Sequence, residues 1–355
     1  MESFYAQSIK SILKNSKSEL VNYVYKNQEK FEVQIILTEL KKRKNSFTIH
    51  KKKFNSDKNN YFYPASSIKL PIALLTIEKI NESSDLNINS EFLIEGDSII
   101  TSFKKEITDL FIISSNESYN RLFEFLGQDY INEKLKQKGF TGFNISHRLS
   151  TEKSDNLNTK KINFYRNGEI YQIQKSIKNK PVAKLNLKNL NKGVGFILNN
   201  KLQNKAMDFS RKNYFSIEEL NNLLICLFFP KISKNKKFNL SKSQYILIKK
   251  LMSSTPFDIG FDKNIYPNNY NKFFIYGDND GMINDNIYNK VGNAYGYSID
   301  NAYIYNKKTD RHFVLTACIY TNANNILNDN KYEYDEIGIP FLAEIGRLLT
   351  NYNIR

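Results

Sequence analysis

The order of hydropathy patterns along these 355 residues predicts an α+β fold: one antiparallel sheet of about five strands, drawn from both chain ends and flanked by helices, with a helical lobe inserted. Three observations carry this expectation. Two strand-like segments lie early, three lie late, and the stretch between them is dominated by apolar residues at helical spacing. The same pattern sets the expected division. Residues 1–65 and 285–355 form the sheet lobe, residues 66–284 form the mainly helical lobe with an accessory insertion at 150–215, and the site lies between the lobes.

At the amino end, Phe4, Ile9, Ile12 and Leu13, and then Leu20, Val21 and Val24, recur at helical spacing. Residues 31–40 are rich in β-branched side chains and residues 46–54 alternate through Phe47 and Ile49, so the polar segment 41–45 is the expected turn. After a turn at 55–60, residues 66–80 read as a nearly all-apolar and therefore buried helix, with Pro71 tolerated in its first turns. A second helix over 102–113 breaks at Ser114-Ser115-Asn116, resumes over 119–125 and stops at Gly127. Asp129 is the expected N-cap of another helix through Ile131, Leu135 and Lys136. Asn167-Gly168, between Ile162 and Phe164 on one side and Ile170, Tyr171 and Ile173 on the other, marks a hairpin inside the insertion. Helices follow over 217–229, closed by Pro230, and over 241–252. Lys290 lies in the first late strand, 297–305 and 312–321 are the other two, and a helix over 337–349 ends the pattern.

A composition of 41% hydrophobic and 14% aromatic residues supports a substantial core. The formal net charge of +16 raises the question of nucleic-acid binding, but the lysines are scattered through nearly every polar stretch, so no nucleic-acid partner is expected. An anionic envelope would still attract such a surface. Cys226 and Cys318 sit in apolar runs and read as buried free thiols, while His50, His147 and His312 lie far apart with no metal-ligand spacing. No metal and no cofactor are expected. No stretch is long and apolar enough to span a bilayer, and the first residues lack a secretory pattern.

Chemistry is concentrated at Ser66-Ser67-Ile68-Lys69, at the mouth of the buried helix. Residues three apart on a helix share a face, so Lys69 is within reach of the Ser66 hydroxyl, whereas Ser67 lies on another face. Serine is a weak nucleophile until a base takes its proton, and a desolvated lysine has the lowered pKa that suits it to that task. The helix amino terminus favours a developing oxyanion. Downstream, Ser114-Ser115-Asn116 interrupts a helix and Lys290-Val291-Gly292 opens a strand; taken singly, these are an ordinary capping loop and an ordinary strand start.

In this order the three segments resemble the SxxK, SDN and KTG signature of class A β-lactamases and penicillin-binding proteins. Residues 62–71 are similar to that family's nucleophile segment and residues 114–122 to its SDN segment, including Asn120 four positions after Asn116. The element order at both ends matches the family's layout as well. The resemblance implies a β-lactamase/transpeptidase-like fold and a Ser66 acyl-enzyme, with Lys69 as general base or proton relay and Ser114 as relay to the leaving nitrogen. It further implies that Lys290 supplies positive potential, that Asn116, Asn120, Gly292 and Asn293 contact substrate, and that backbone N–H groups of Ser66 and Asn293 form the oxyanion hole. The implied partner is a small β-lactam or a peptidoglycan peptide, and the implied state a monomer in the periplasm or cell envelope, with the cytoplasm left open.

Departures from the family pattern are equally specific. Ser115 stands in place of the motif's Asp, Val291 in place of its hydroxyl residue, and no arginine occurs over 297–305. Arg148-Leu149-Ser150 and Asn156-Leu157-Asn158 resemble the ends of the family's catalytic loop, but the positions matching its glutamate are Ser150 or Ser154; Glu152 and Asp155 are the carboxylates left as deacylation bases. Hydrolysis is therefore expected to be slow. A peptidoglycan D-alanyl peptidase or transpeptidase, or a non-catalytic binding protein on the same fold, are the alternatives. Tyr130-Ile131-Asn132 resembles the YxN of related families, but its helical setting makes Tyr130 a surface or packing residue.

Overall fold

The computed structural model describes residues 7–44, 46–233, 237–279 and 286–351. Its main sheet contains β1 (Gln34–Arg43), β2 (Ser46–Phe54), β3 (Ile287–Ala294), β4 (Tyr297–Asn306) and β5 (Arg311–Tyr320). They pair antiparallel in the order β3-β4-β5-β1-β2, with β1 set against β5 so that Leu37 faces Leu315. The early and late strands thus form one sheet, as the sequence predicts. Side chains alternate across it: Ile36 and Leu40 of β1 join one apolar cluster, and Ile35 and Leu37 join the other. β5 does the same with Val314 and Cys318 against Phe313, Leu315, Ala317 and Ile319. A sheet buried on both faces explains why these strands read as nearly continuous apolar runs.

One face is covered by α1 (Ile9–Lys14), α2 (Glu19–Lys26) and the helix Ile339–Thr350 near the carboxyl end. The other cluster takes in the helical lobe: α3 (Lys69–Asn81), α4 (Phe103–Ile112), α5 (Asn116–Leu126), α6 (Gln128–Gln137), α7 (Ile217–Phe228) and α8 (Lys242–Ser253). α7 docks on the sheet through polar as well as apolar contacts, since Asn221 accepts from Thr38 at 2.7 Å and donates to the Val314 carbonyl at 3.1 Å. Six helices begin behind a serine whose hydroxyl accepts a first-turn N–H: Ser8, Ser18, Ser102, Ser115, Ser216 and Ser241. In the insertion, Asn167 and Gly168 both take left-handed backbone between strands Ile162–Arg166 and Glu169–Gln174.

Several boundaries differ from expectation. Phe4 lies outside the described residues. Lys41 and Lys42 extend β1 by pairing with Thr48 and Phe47, so the turn is tighter than 41–45. Gly127, not Asp129, is the N-cap of α6; the Asp129 carboxylate instead accepts from the Lys180 backbone at 3.1 and 3.2 Å. Tyr130 bonds Glu82 at the surface.

Candidate active site

Ser66 lies not in the α-helix but in a 3-10 turn, Ala65–Ile68, that leads into α3. Residues three apart are eclipsed in such a turn, so Ser66 and Lys69 still share a side. Ser67 is turned inward, its hydroxyl donating to the Pro64 carbonyl at 2.5 Å, while Ser66 stays half-buried and faces two cavities. Ala65 is in left-handed backbone (φ 45°), a conformation a non-glycine residue holds only when its surroundings impose it. The imposing neighbour is β3, the edge strand of the sheet. A Cβ at Gly292 would stand 2.4 Å from the Ser66 nitrogen and 3.0 Å from both Ser66 Cα and Ala65 Cβ. The bare backbone of Gly292 lets the strand lie flush against the serine.

Lys69 is fully buried, and its ammonium donates to the Ser114 carbonyl, to Ser114 Oγ at 3.3 Å and to Asn116 Oδ1 at 2.8 Å. Those contacts account for its three donors. The Ser66 hydroxyl itself makes no hydrogen bond among the described residues, so the direct Lys69–Ser66 bond that spacing suggests is not formed here. Ser114 presents both acceptors because it sits in left-handed backbone (φ 54°) between α4 and α5, while Ser115 is the residue that caps α5. Lys290, on β3 and also buried, donates to Ser114 Oγ at 2.8 Å and to the Val291 carbonyl at 3.0 Å. Burial, and then the nearby Lys290 charge, hold the Lys69 pKa well below its usual range; burial pushes Lys290 down to about 7 against the opposing pull of Asp300.

Beneath Lys290 lies a second buried network that the sequence reading missed. Lys272 donates to Asn289 Oδ1 at 2.8 Å and to the Met252 carbonyl at 2.9 Å. Asn289 Nδ2 donates to both Asp300 oxygens at 3.0 Å, and Asp300 also accepts from the Phe274 N–H at 2.9 Å. Desolvation brings Lys272 to about 7 and raises Asp300 to about 6. The available signal was Lys272 opening the apolar run 273–276, the same anomaly that marks Lys69.

The loop after α6 is tied down by Arg148, whose guanidinium pairs with Glu124 at 2.6 and 2.9 Å and donates to the carbonyls of Asn156 and Asn158 at 2.8 and 3.0 Å. Asn120 uses both ends of its amide on the Leu149 backbone, at 2.8 and 2.9 Å, and lines neither cavity at Ser66. Both bonds hold the loop in place. The residue this clamp delivers to the site is Ser150, whose hydroxyl accepts from Asn116 Nδ2 at 2.9 Å. Glu152 and Asp155 are exposed and line other cavities, so the structure does not bring either carboxylate to Ser66.

The two cavities meet at Ser66, Asn116 and Asn293. One, of about 390 Å³, also holds Ser114, Val291, Gly292 and Asp335. The other, of about 520 Å³, runs under the loop past Ser150, Thr151, Tyr63, Tyr295 and His147. Asn293 Oδ1 is buried there without a hydrogen-bond partner among the described residues. His147 is stacked on Tyr63, and burial together with the Lys212 charge lowers its pKa to about 4. Among the described residues no group of three or more His, Cys, Asp or Glu is placed to hold a metal, and no helix is long and apolar enough to cross a membrane.

Similar folds occur in solved structures. A class A beta-lactamase representative from Bacteroides cellulosilyticus DSM 14838 is 10% identical with a TM-score of 0.53, the match covering 97% of this chain and 98% of that one. A beta lactamase from Xanthomonas campestris pv. campestris str. ATCC 33913 is 12% identical, TM-score 0.54, with 96% and 99% covered. PBP-A is 12% identical, TM-score 0.54, with 97% and 96% covered. Identities this low show the fold alone. No curated protein sequence matches the chain. The profile of the Beta-lactamase enzyme family, however, matches residues 15–353 and so spans the serine turn, the Ser114 loop and the edge strand alike; the chain belongs to that family.

Proposed function

We propose that the protein is a serine hydrolase that cleaves an amide bond through an acyl-enzyme on Ser66. The observation that carries this reading is the convergence of two buried lysines on Ser114 while the glycine backbone of β3 lies flush on Ser66. Deprotonated, Lys69 gives up one of its three donated bonds, and the freed lone pair accepts the Ser66 proton as Oγ attacks the carbonyl carbon, while N–H groups of Ser66 and Asn293 stabilise the oxyanion. The C–N bond then breaks as Ser114 Oγ delivers its proton to the leaving nitrogen and is reprotonated from the lysines beside it. Water must finally cleave the ester. Where a carboxylate would activate that water the loop presents Ser150, and losing a general base typically costs about 10²–10⁴ in rate. The acyl-enzyme is therefore long-lived, and β-lactam hydrolysis slow.

Intact-mass measurement after incubation with a penicillin tests this directly. A persistent adduct mapped to Ser66, absent in Ser66→Ala and retained in Ser67→Ala, is expected; labelling at Ser67, or equal loss in both variants, refutes the assignment. Glu152→Gln and Asp155→Asn should leave the slow turnover unchanged. The same hydroxyl-lined loop favours a second reading, a peptidoglycan D-alanyl peptidase or transpeptidase, in which an acceptor amine rather than water resolves the acyl-enzyme. A periplasmic or envelope location and a monomeric state accompany both readings.

A further inference from the structure

The nucleophile stands between two cavities of unlike charge. Ser114, the proton donor to the leaving nitrogen in the reading above, lines only the smaller one, which therefore receives the leaving group; the larger receives the acyl group. The leaving-group cavity is lined by Val291 and the exposed carboxylate of Asp335, neither of which holds an anion, and the cation behind it, Lys290, is spent on Ser114 Oγ and the Val291 carbonyl. The acyl cavity offers two cations. Arg148 is spent on Glu124. Lys212 has no ion pair and no side-chain hydrogen bond among the described residues, and it stands on the wall shared with a neighbouring cavity. Its backbone is fixed by the Phe209 carbonyl on one side and the buried Asn213 on the other. His147 beside it keeps Nδ1 on the Arg148 carbonyl at 2.5 Å and is a neutral ring. Asp155, which lines the adjoining cavity with Lys212, attracts it without pairing.

We propose that the acyl cavity binds a carboxylate-bearing acyl group, of the kind an acidic peptide chain supplies, with Lys212 as its counter-ion. This rests on the acyl-enzyme reading. It reverses the polarity of simple β-lactams, whose carboxylate lies on the leaving side. Partial burial lowers the Lys212 pKa, and an incoming carboxylate offsets that cost of holding the charge.

Benzylpenicillin and carbenicillin differ by one carboxylate on the acyl side chain, so the ratio of their second-order acylation rates at Ser66 isolates this contact. We expect carbenicillin to be preferred by about tenfold, the scale of one partly desolvated charge pair. The preference should collapse in Lys212→Met and persist in Lys212→Arg. Because both probes are read on the same variant, a loss of folded protein cancels in the ratio. Equal rates in the parent protein, or a preference that survives Lys212→Met, overturn the acyl-group assignment alone. No labelling by either probe overturns the Ser66 reading and this inference with it.

Discussion

At Gly292 the difference between a hydrogen and a methyl group decides whether the sheet can touch Ser66. Its backbone is not in left-handed conformation, so alanine costs nothing conformationally; the penalty is the 2.4 Å approach to the Ser66 nitrogen. On the acyl-enzyme reading, Gly292→Ala should push β3 off the serine turn, widen the proposed oxyanion hole and slow acylation by about 10²–10³, the cost of one such donor. Stopped-flow acylation paired with thermal melting separates this from unfolding: the rate should fall far more than stability does. The Ser114 and Lys290 segments stood out only through the family resemblance, whereas the Ser66–Lys69 pair was legible from its helical spacing. The strained φ of Ala65 and Ser114 was not, since neither residue type announces left-handed backbone. Lys212 and His147 were equally silent, being single residues whose meaning comes only from the wall they share.

Among elements, the loop 148–158 is held by a nearly enclosed ion pair, and its Arg148 and Glu124 side chains are only 7% and 5% exposed. Removing one partner of such a pair strands a buried charge, so Arg148→Ala should cost about 3–5 kcal/mol, whereas Arg148→Met combined with Glu124→Met should cost far less. Denaturant titration of the two variants checks the contrast; equal losses would mean that the carbonyl contacts, not the pair, hold the loop. Helix positions were largely readable because serine caps punctuate them. The Ser66 turn reads as α-helix in the sequence, since a 3-10 turn and a first α-turn present the same apolar spacing over four residues. Asp129 failed as a cap because the left-handed Gly127 had already both ended α5 and begun α6.

For the molecule as a whole, Lys272 and Lys290 titrate at about 7 rather than 10.5. Between those values the unfolded chain binds protons that the folded chain does not, so stability rises with pH through this window and is flat in this respect below it. Melting temperature should climb from pH 7 to about 9.5, by at most about 1.4 kcal/mol of stability per lysine per pH unit, and Lys290→Met should flatten the climb. A pH-independent melting temperature would refute the burial of these charges. That early and late strands form one sheet was readable from the sequence because both ends carried strand patterns; the strand order and the seam of β1 against β5 come from the structure.

That pairing fixes when the protein can begin to work. Lys290 meets Ser114 across 176 positions of chain, so the strand that backs Ser66 leaves the ribosome long after the serine itself. A nascent chain already carries its serine and the Ser114–Asn116 loop of the helical lobe, yet it has no edge strand to lie against Ser66. On the acyl-enzyme reading, chemistry waits on the slow, long-range step of pairing the early strands with the late ones, and a chain stopped short of β3 should be inert however well its helices have formed.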